Sequence, residues 1–355
     1  MNIVHVSLHN SIKDGGIFCY VSNLQDYQNS IGLNSFWITC RVNNIPIKKS
    51  KIIQKIKDLS PEVIHIHGLW TIQTRLIPDF LKITKNIIIA PHGMLHKNAL
   101  KKSSLKKKLA LFVYERKNLE KTFAFHALDK EEKRYIRYTF PKMKSFLLGT
   151  GIRIPERKDY DVNLEWLKQI KQKDRKILFL GRLEEQKGIP ELINSWLALK
   201  QEAKKYNCWL LIAGFGKFHD EIQKLSLDIT NRIIFNGLTL GEEKQFILKL
   251  SDAFILPSKY EGVPISFLEA ISYKCLCLVT KECKLRQLKK QNSSIEIHLE
   301  PAKMKKDIIK FFKLTDQEIK ERTEKAIDYI KLEHDWFTIA KKSESYYNLM
   351  ITKNN

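Results

Sequence analysis

Long apolar runs are missing from this 355-residue chain. No stretch approaches the roughly 18–20 consecutive apolar residues that a bilayer-spanning helix needs, so no membrane span is expected. The opening "MNIVHVSLHNS" has no basic region ahead of an apolar core and reads as a first buried strand, not a secretory signal. Cysteine is scarce: six residues, Cys19, Cys40, Cys208, Cys275, Cys277 and Cys283, lie scattered in apolar or mixed surroundings. That argues against a disulfide scaffold and fits free thiols in a reducing cytosol. Cys275 and Cys277 alternate with Leu276 and Leu278 as in a strand, and no four thiolates stand at zinc spacing. The dinucleotide fingerprint G-x-G-x-x-G is missing as well.

Acid is outnumbered. Asp and Glu total 39 against 62 Lys and Arg, a net charge of +23. The surplus is uneven, since residues 1–150 carry 25 basic against 10 acidic side chains. "KNALKKSSLKKK", residues 97–108, holds six lysines and no acid. Such a field favours an anionic partner: nucleic acid, an anionic membrane or a phosphate-bearing substrate. A coding bias toward lysine would raise the count with no function attached. The neighbouring Leu95, Leu100, Leu105, Leu109 and Leu111–Phe112 give the run a partly amphipathic character suited to lying on anionic lipid.

What is present is a 43% hydrophobic chain, long enough for two domains with ordinary cores. Short apolar runs alternate with amphipathic stretches. "NIVHVSL", "NSFWITC", "EVIHIHG" and "NIIIAPHG" read as strands; "IFCYVSNLQDYQNSIG", "SKIIQKIKDLSP" and "TIQTRLIPDFLKIT" read as helices. The polar stretch 150–175 breaks the rhythm, which restarts at "KILFLG" and repeats through "CWLLIAG", "RIIFNG", "AFILPS" and "CLCLVT", each followed or preceded by a helical pattern. Two parallel-sheet α/β layers are expected, with functional residues at the carboxyl ends of strands. The tail reads as helical, with Trp336 as a core anchor.

Six places carry candidate chemistry. In "KYEGVPISFLEA" Glu261 precedes a Gly-x-Pro corner and Glu269 stands in an apolar helix. A carboxylate there needs partners, and the hydroxyls of a sugar or ribose are suitable donors. An internal ion pair for Glu269 is the competing reading. In "GRLEEQKG", residues 181–188, Arg182 and Lys187 stand on a loop before a helix, a good seat for a diphosphate. Gly214 and Gly237 end strands and leave room for a base, with Leu238 adjoining. "KDGGI" opens the first long helix, where Gly16 lets backbone amides approach a phosphate or sugar. His65, His67 and His92 close strands. A metal reading is disfavoured for want of a zinc signature, and His92 is read as a hydrogen-bonding group. Asp129 and Glu132 are open between an acceptor contact and a solvated surface.

These residues carry a resemblance. "GRLEEQKG", "AGFG", "NG" and "LPSKYEGVPISFLEA" over 176–280, with "IHGLW" and "PHGML" in the first half, resemble the retaining glycosyltransferases of family 4. The pair of first-half motifs is similar to bacterial transferases that build surface polysaccharide, O-antigen or capsule. The resemblance implies the GT-B fold: two Rossmann-like α/β/α domains facing across a cleft, with a C-terminal helix crossing back. Residues 1–160 would bind the acceptor, 161–335 the nucleotide-sugar donor, and 336–355 would form the returning helix. It implies transfer from a UDP- or GDP-sugar to a saccharide, in some relatives lipid-linked, at the cytoplasmic face of a membrane. No divalent metal or other cofactor and no nucleic acid are implied. Arg182 and Lys187 would neutralise the diphosphate, Glu269 would hold the ribose, and Glu261 with the amides near Gly262–Val263 would contact the donor sugar. His92 would bind sugar hydroxyls, and Gly16 would admit phosphates and acceptor. Asp129 departs from the family pattern, where relatives often have Ser or Thr, and "KCLCLV" replaces the usual Gly/Pro turn. The competing readings are a sugar epimerase or phosphorylase of similar fold, and a basic nucleic-acid-binding protein.

Overall fold

Alternation along the strands decides what each sheet face holds. In a computed structural model of the chain, the structure describes residues 1–9, 16–42, 45–95, 115–155, 160, 162–261, 264–283 and 286–354. The chain divides into two units, Met1–Gly151 with His334–Asn355, and Ile152–Glu333. The lysine run 97–108 lies outside the described residues.

The first unit contains β1 (Asn2–Ser7), β2 (Asn34–Thr39), a small antiparallel hairpin of β3 (Arg41–Val42) and β4 (Ile45–Pro46), then β5 (Val63–His67), β6 (Ile87–Ala90), β7 (Ala124–Ala127) and β8 (Lys144–Leu147). Its six-stranded sheet runs β2-β1-β5-β6-β7-β8, with every pairing parallel. One face sends Val4, Val6, Ile64, Ile66, Ile87, Ile89 and Phe125 into a core with Ile52, Ile56, Ile77 and Phe80. The alternate residues Ile3, Val63 and Ile88 pack under Tyr347 and Met350 of the helix Trp336–Asn354. Further along that second face, in phase with those residues, come His5, His65, His67 and His126, all buried.

Two helices cover the histidine face. Gly16–Ser30 buries Tyr20, Leu24 and Gln28, one stripe at four-residue spacing. Trp336–Asn354 buries Trp336, Ala340, Ser343, Tyr347 and Met350 at spacings of three and four. Each large apolar side chain so buried contributes about 1.5–3 kcal/mol. Trp336 meets the ring of Tyr20 edge-on at 5.4 Å, and a Cβ on Gly151 would collide with the indole at 2.4 Å. The stretch expected as one helix over "TIQTRLIPDFLKIT" splits into Ile72–Arg75 and Ile77–Phe80. Pro78 has no amide hydrogen for the preceding turn.

The second unit contains β9 (Arg175–Leu180), β10 (Cys208–Ala213), β11 (Ile233–Gly237), β12 (Ala253–Leu256), β13 (Leu276–Val279) and β14 (Ser294–Glu296). They pair in parallel in the order β11-β10-β9-β12-β13-β14. The inner strands are mostly apolar, as in "ILFL" of β9, "CWLLIA" of β10 and "AFIL" of β12, because helices cover both faces. Cys275 and Cys277 are buried free thiols in this core. Chain connections leave β9 toward one edge and β12 toward the other, so a switch point opens between their carboxyl ends. In such sheets that crevice is where ligands bind.

Candidate active site

The switch point of the second unit is where Lys187 and Glu261 meet. Backbone contact makes the meeting possible. Gly188 caps the helix Ile189–Leu197 at φ 72°, and a Cβ there would lie 2.0 Å from the Pro257 carbonyl oxygen. The loops leaving β9 and β12 therefore touch main chain to main chain. Lys259 N–H donates to Gln186 O at 2.8 Å and stitches them together. On this frame Lys187 Nζ forms an ion pair with Glu261 Oε1, and Ser258 Oγ donates to the same oxygen at 2.6 Å. The Lys187 and Glu261 side chains are only 15% and 9% exposed, so neither charge is left to water alone.

Arg182, first after Gly181, stands at the rim with its side chain 53% exposed and pairs with Glu184 at 3.1 Å. An exposed pair of this kind contributes about 0–1 kcal/mol, so the guanidinium is readily released to another anion. Glu269 lies on the helix Ile265–Ser272, and Lys244 Nζ donates to its Oε1 at 2.7 Å. The carboxylate thus has the internal cation that was the competing reading for it. Gly214 uses its missing side chain for the chain itself: a Cβ there would stand 1.8 Å from Gly181 O. The room expected there for a base is filled by backbone. Gly237 is different, with φ 65° and nothing within 4 Å, and Leu238 beside it is 57% exposed. Gly262 and Val263 lie outside the described residues, as do Lys13 to Gly15; Gly16 is the first residue of its helix. The sequence also contains an Asp-x-Asp triplet, Asp159–Tyr160–Asp161, and both aspartates lie outside the described residues.

In the first unit His92 follows β6 at φ 52°, a left-handed conformation that costs a non-glycine residue about 1–2 kcal/mol. The turn is held by Glu132, whose two oxygens accept from Gly93 N–H at 2.5 Å and Leu128 N–H at 2.8 Å. Asp129 caps the helix Lys130–Thr139 by accepting from Glu132 N–H at 2.7 Å. Both acids therefore have structural duties, and Glu132 is buried rather than a solvated surface group.

Behind His92 lies a packed set of imidazoles. His92 Nε2 is 2.9 Å from His67 Nδ1, His67 Nε2 is 2.8 Å from His5 Nδ1, and His5 Nε2 is 2.8 Å from Gln28 Oε1. His65 bonds Tyr347 and His126 at 2.9 and 3.1 Å. Burial holds His5 and His126 down at about 4 and keeps His65 and His67 well below the ordinary histidine range. His92, a partly buried residue, is likewise pushed down, burial first and His126 second. His5, His65 and His67 each offer a ring nitrogen within 4.8 Å of the others. All six of their ring nitrogens already bond protein groups, so a cation would have to break this network.

Sequence reasoning picked out His65, His67 and His92 and missed His5, His126, Gln28 and Tyr347. The available signal was phase: His5 stands two residues from Ile3 in "NIVHVS", and His126 two from Ala124 in "AFHA", on the face His65 and His67 share.

The fold is the GT-B architecture, two parallel-sheet α/β units. Over 99% of its length the chain superposes on all of the sucrose-phosphate synthase of Thermosynechococcus elongatus, with a TM-score of 0.75 at 14% identity. Residues 163–331 match the family model of glycosyl transferases group 1. An uncharacterized glycosyltransferase of Methanocaldococcus jannaschii is 35% identical over 145 residues, 38% of this chain and 36% of that protein. The UDP-Gal:alpha-D-GlcNAc-diphosphoundecaprenol alpha-1,3-galactosyltransferase of Escherichia coli is 23% identical over 286 residues, 77% of this chain and 73% of that one. The chain spans about a third or less of the length of the curated relatives it matches first.

Proposed function

We propose that this protein transfers a sugar, with retention, from a UDP- or GDP-sugar to a saccharide acceptor carried on a lipid diphosphate, in the synthesis of a cell-surface glycan. The observation that carries the reading is the Lys187–Glu261 pair with Arg182 at the β9/β12 switch point, inside the segment matched to group 1 glycosyl transferases. The lipid-linked acceptor is suggested by the E. coli relative, named for its diphosphoundecaprenol acceptor.

In this reading Arg182 and Lys187 seat the donor diphosphate. Lys187 turns from Glu261 toward the phosphate, and Glu261 is released to a donor-sugar hydroxyl. Glu269 keeps Lys244 on one oxygen and offers the other to ribose hydroxyls. Gly237 and Leu238 form the open edge for the base, and the amides near Gly262–Val263 assist. In the first unit, His92 accepts from a sugar hydroxyl and Gly16 admits the acceptor. The bond from the anomeric carbon to the diphosphate oxygen breaks with its electron pair leaving on phosphate. The acceptor oxygen attacks from that same face, and its proton goes to the departing diphosphate. Cations stabilise the charge as it grows, which lowers the barrier more than it tightens ground-state binding. Their presence supports metal-independent action.

Among the described residues no helix is long and apolar enough to cross a membrane. The basic first unit supports a peripheral position on an anionic cytoplasmic membrane face. The test is transfer from a panel of UDP- and GDP-sugars to lipid-diphosphate-linked saccharides, with and without EDTA, and NMR of the product's anomeric proton. Transfer with inversion, or from no donor, contradicts the reading.

A further inference from the structure

The hydrogen bonds behind His92 form one directed chain, and its direction can be worked out from atoms that have no choice. The Leu148 carbonyl can only accept, and it lies 2.7 Å from His126 Nε2. His126 therefore carries its proton on Nε2 and accepts at Nδ1 from His65 Nε2–H at 3.1 Å. His65 Nδ1 then accepts from the Tyr347 hydroxyl at 2.9 Å, and that hydroxyl oxygen accepts from Gln28 Nε2–H at 3.2 Å. The Gln28 carbonyl is left to accept from His5 Nε2–H. His5 Nδ1 accepts from His67 Nε2–H, and His67 Nδ1 accepts from His92 Nε2–H. A neutral imidazole has one donor and one acceptor, so each step forces the next.

A second anchor gives the same answer from the middle of the chain. Ser343 Oγ donates to the Ala340 carbonyl at 2.7 Å, so toward Gln28 it can only accept, and Gln28 Nε2 donates to it at 2.9 Å. The amide is thereby oriented without reference to any histidine, and its oxygen also accepts from Ser35 Oγ at 2.8 Å. Two independent anchors, Leu148 and Ala340 carbonyls, impose one direction on all five imidazoles. The far end of that chain is His92 Nδ1, which has no donor among the described residues. Among the described residues the buried side-chain atoms lacking a partner are Trp70 Nε1, Glu115 Oε2 and Glu191 Oε2, and His92 Nδ1 is not one of them.

We propose that His67, His5 and Gln28 are positioning residues that hold His92 as its Nε2–H tautomer, so that Nδ1 is a fixed acceptor for a sugar hydroxyl. The inference rests on the proposed sugar transfer for its ligand but not for its tautomer. It sharpens the role of His92: a lone pair at Nδ1 repels phosphate oxygens and carbonyls, and selects a group with a hydrogen to give. His92 thus orients a sugar and takes no part in holding the diphosphate. The depressed basicity of the buried rings keeps every relay member neutral near pH 7, as the directed chain requires.

The test is two-bond proton–nitrogen NMR on the full chain labelled with 15N-histidine at pH 7.5, with His92 assigned by its loss in His92→Gln. All five rings of the relay are expected to show a bare Nδ1 and a protonated Nε2. A protonated Nδ1 on His92, or tautomer averaging there, overturns the proposal. His67→Leu removes the acceptor for His92 and is expected to mix its tautomers and to lower turnover at least tenfold. His67→Gln offers a carbonyl and an amide in the same roles and is expected to recover the single tautomer and most of the turnover. If His67→Leu fails to fold, the wild-type spectrum and His67→Gln still decide. A single His92 tautomer and full turnover in His67→Leu would remove His67 from the account. The predicted tautomers without transfer from any nucleotide sugar would sink the functional reading and leave the relay standing.

Discussion

Lys187 and Glu261 are 74 positions apart and form an ion pair at the mouth of the β9/β12 crevice, with Ser258 Oγ on the same carboxylate oxygen. The pair keeps a cation and an acid poised where two parallel strands diverge. Each partner screens the other's charge.

Breaking one side of that pair should cost stability and chemistry separately. Lys187→Met leaves Glu261 unpaired in a mostly buried place and is expected to destabilise the second unit by about 1–3 kcal/mol. Transfer should fall roughly a hundredfold, about 3 kcal/mol of lost transition-state stabilisation. The double variant Lys187→Met/Glu261→Gln should recover much of the stability and none of the activity. Urea unfolding beside steady-state kinetics separates the two effects.

The glycines of the second unit should respond unequally. Gly188→Ala meets Pro257 O at 2.0 Å with φ at 72°, and it is expected to cost more than about 2 kcal/mol and to part the two loops. Gly237→Ala at φ 65° meets nothing within 4 Å and should cost only about 1 kcal/mol, the left-handed penalty alone. Equal costs in thermal or urea unfolding would contradict the steric account.

Much of this arrangement was legible in the sequence, and the limits follow from physics. Strands such as "KILFLG" and "VIHIHG" are legible because burial on two faces or one writes a local pattern. Arg182, Lys187 and Glu261 were legible as a constellation because they stand on loops after such strands. Their pairing was not, since it depends on how closely the Gly188 and Pro257 backbones approach. Glu269 shows the same limit: its choice of Lys244 over solvent is decided by the packing of two helices. The histidine relay was half visible. His65 and His67 share a strand, but Gln28, Ser343 and Tyr347 reach it from helices more than 300 residues apart.

Acid should unfold the first unit early. Burial holds His5 and His126 at about 4, against 6.5 for a free ring, and keeps His65 and His67 well below that ordinary value. Below 6.5 the unfolded chain binds protons that the folded chain refuses, so the stabilisation is complete above pH 6.5 and is lost as pH falls toward 4. Each ring contributes a slope of up to about 1.4 kcal/mol per pH unit in that window. Urea midpoints at pH 7.5, 6 and 5 check this, and a flat series contradicts it.

His92 and the diphosphate seat should separate in binding. His92→Ala is expected to lower transfer tenfold or more and leave the affinity for free UDP or GDP within about twofold. Lys187→Ala should weaken both. Calorimetry of the free nucleotides, set beside transfer rates, distinguishes the roles.

The most direct test of the account is thermal unfolding of the wild-type chain and of Arg182→Ala/Lys187→Ala with UDP, GDP and their sugars in EDTA. A ligand held only by the folded state at a hundred times its Kd adds about 2.7 kcal/mol of stability. The account predicts that at least one of these ligands raises the wild-type Tm and that the double variant loses the shift. No shift with any of them, or an equal shift in the variant, would contradict it.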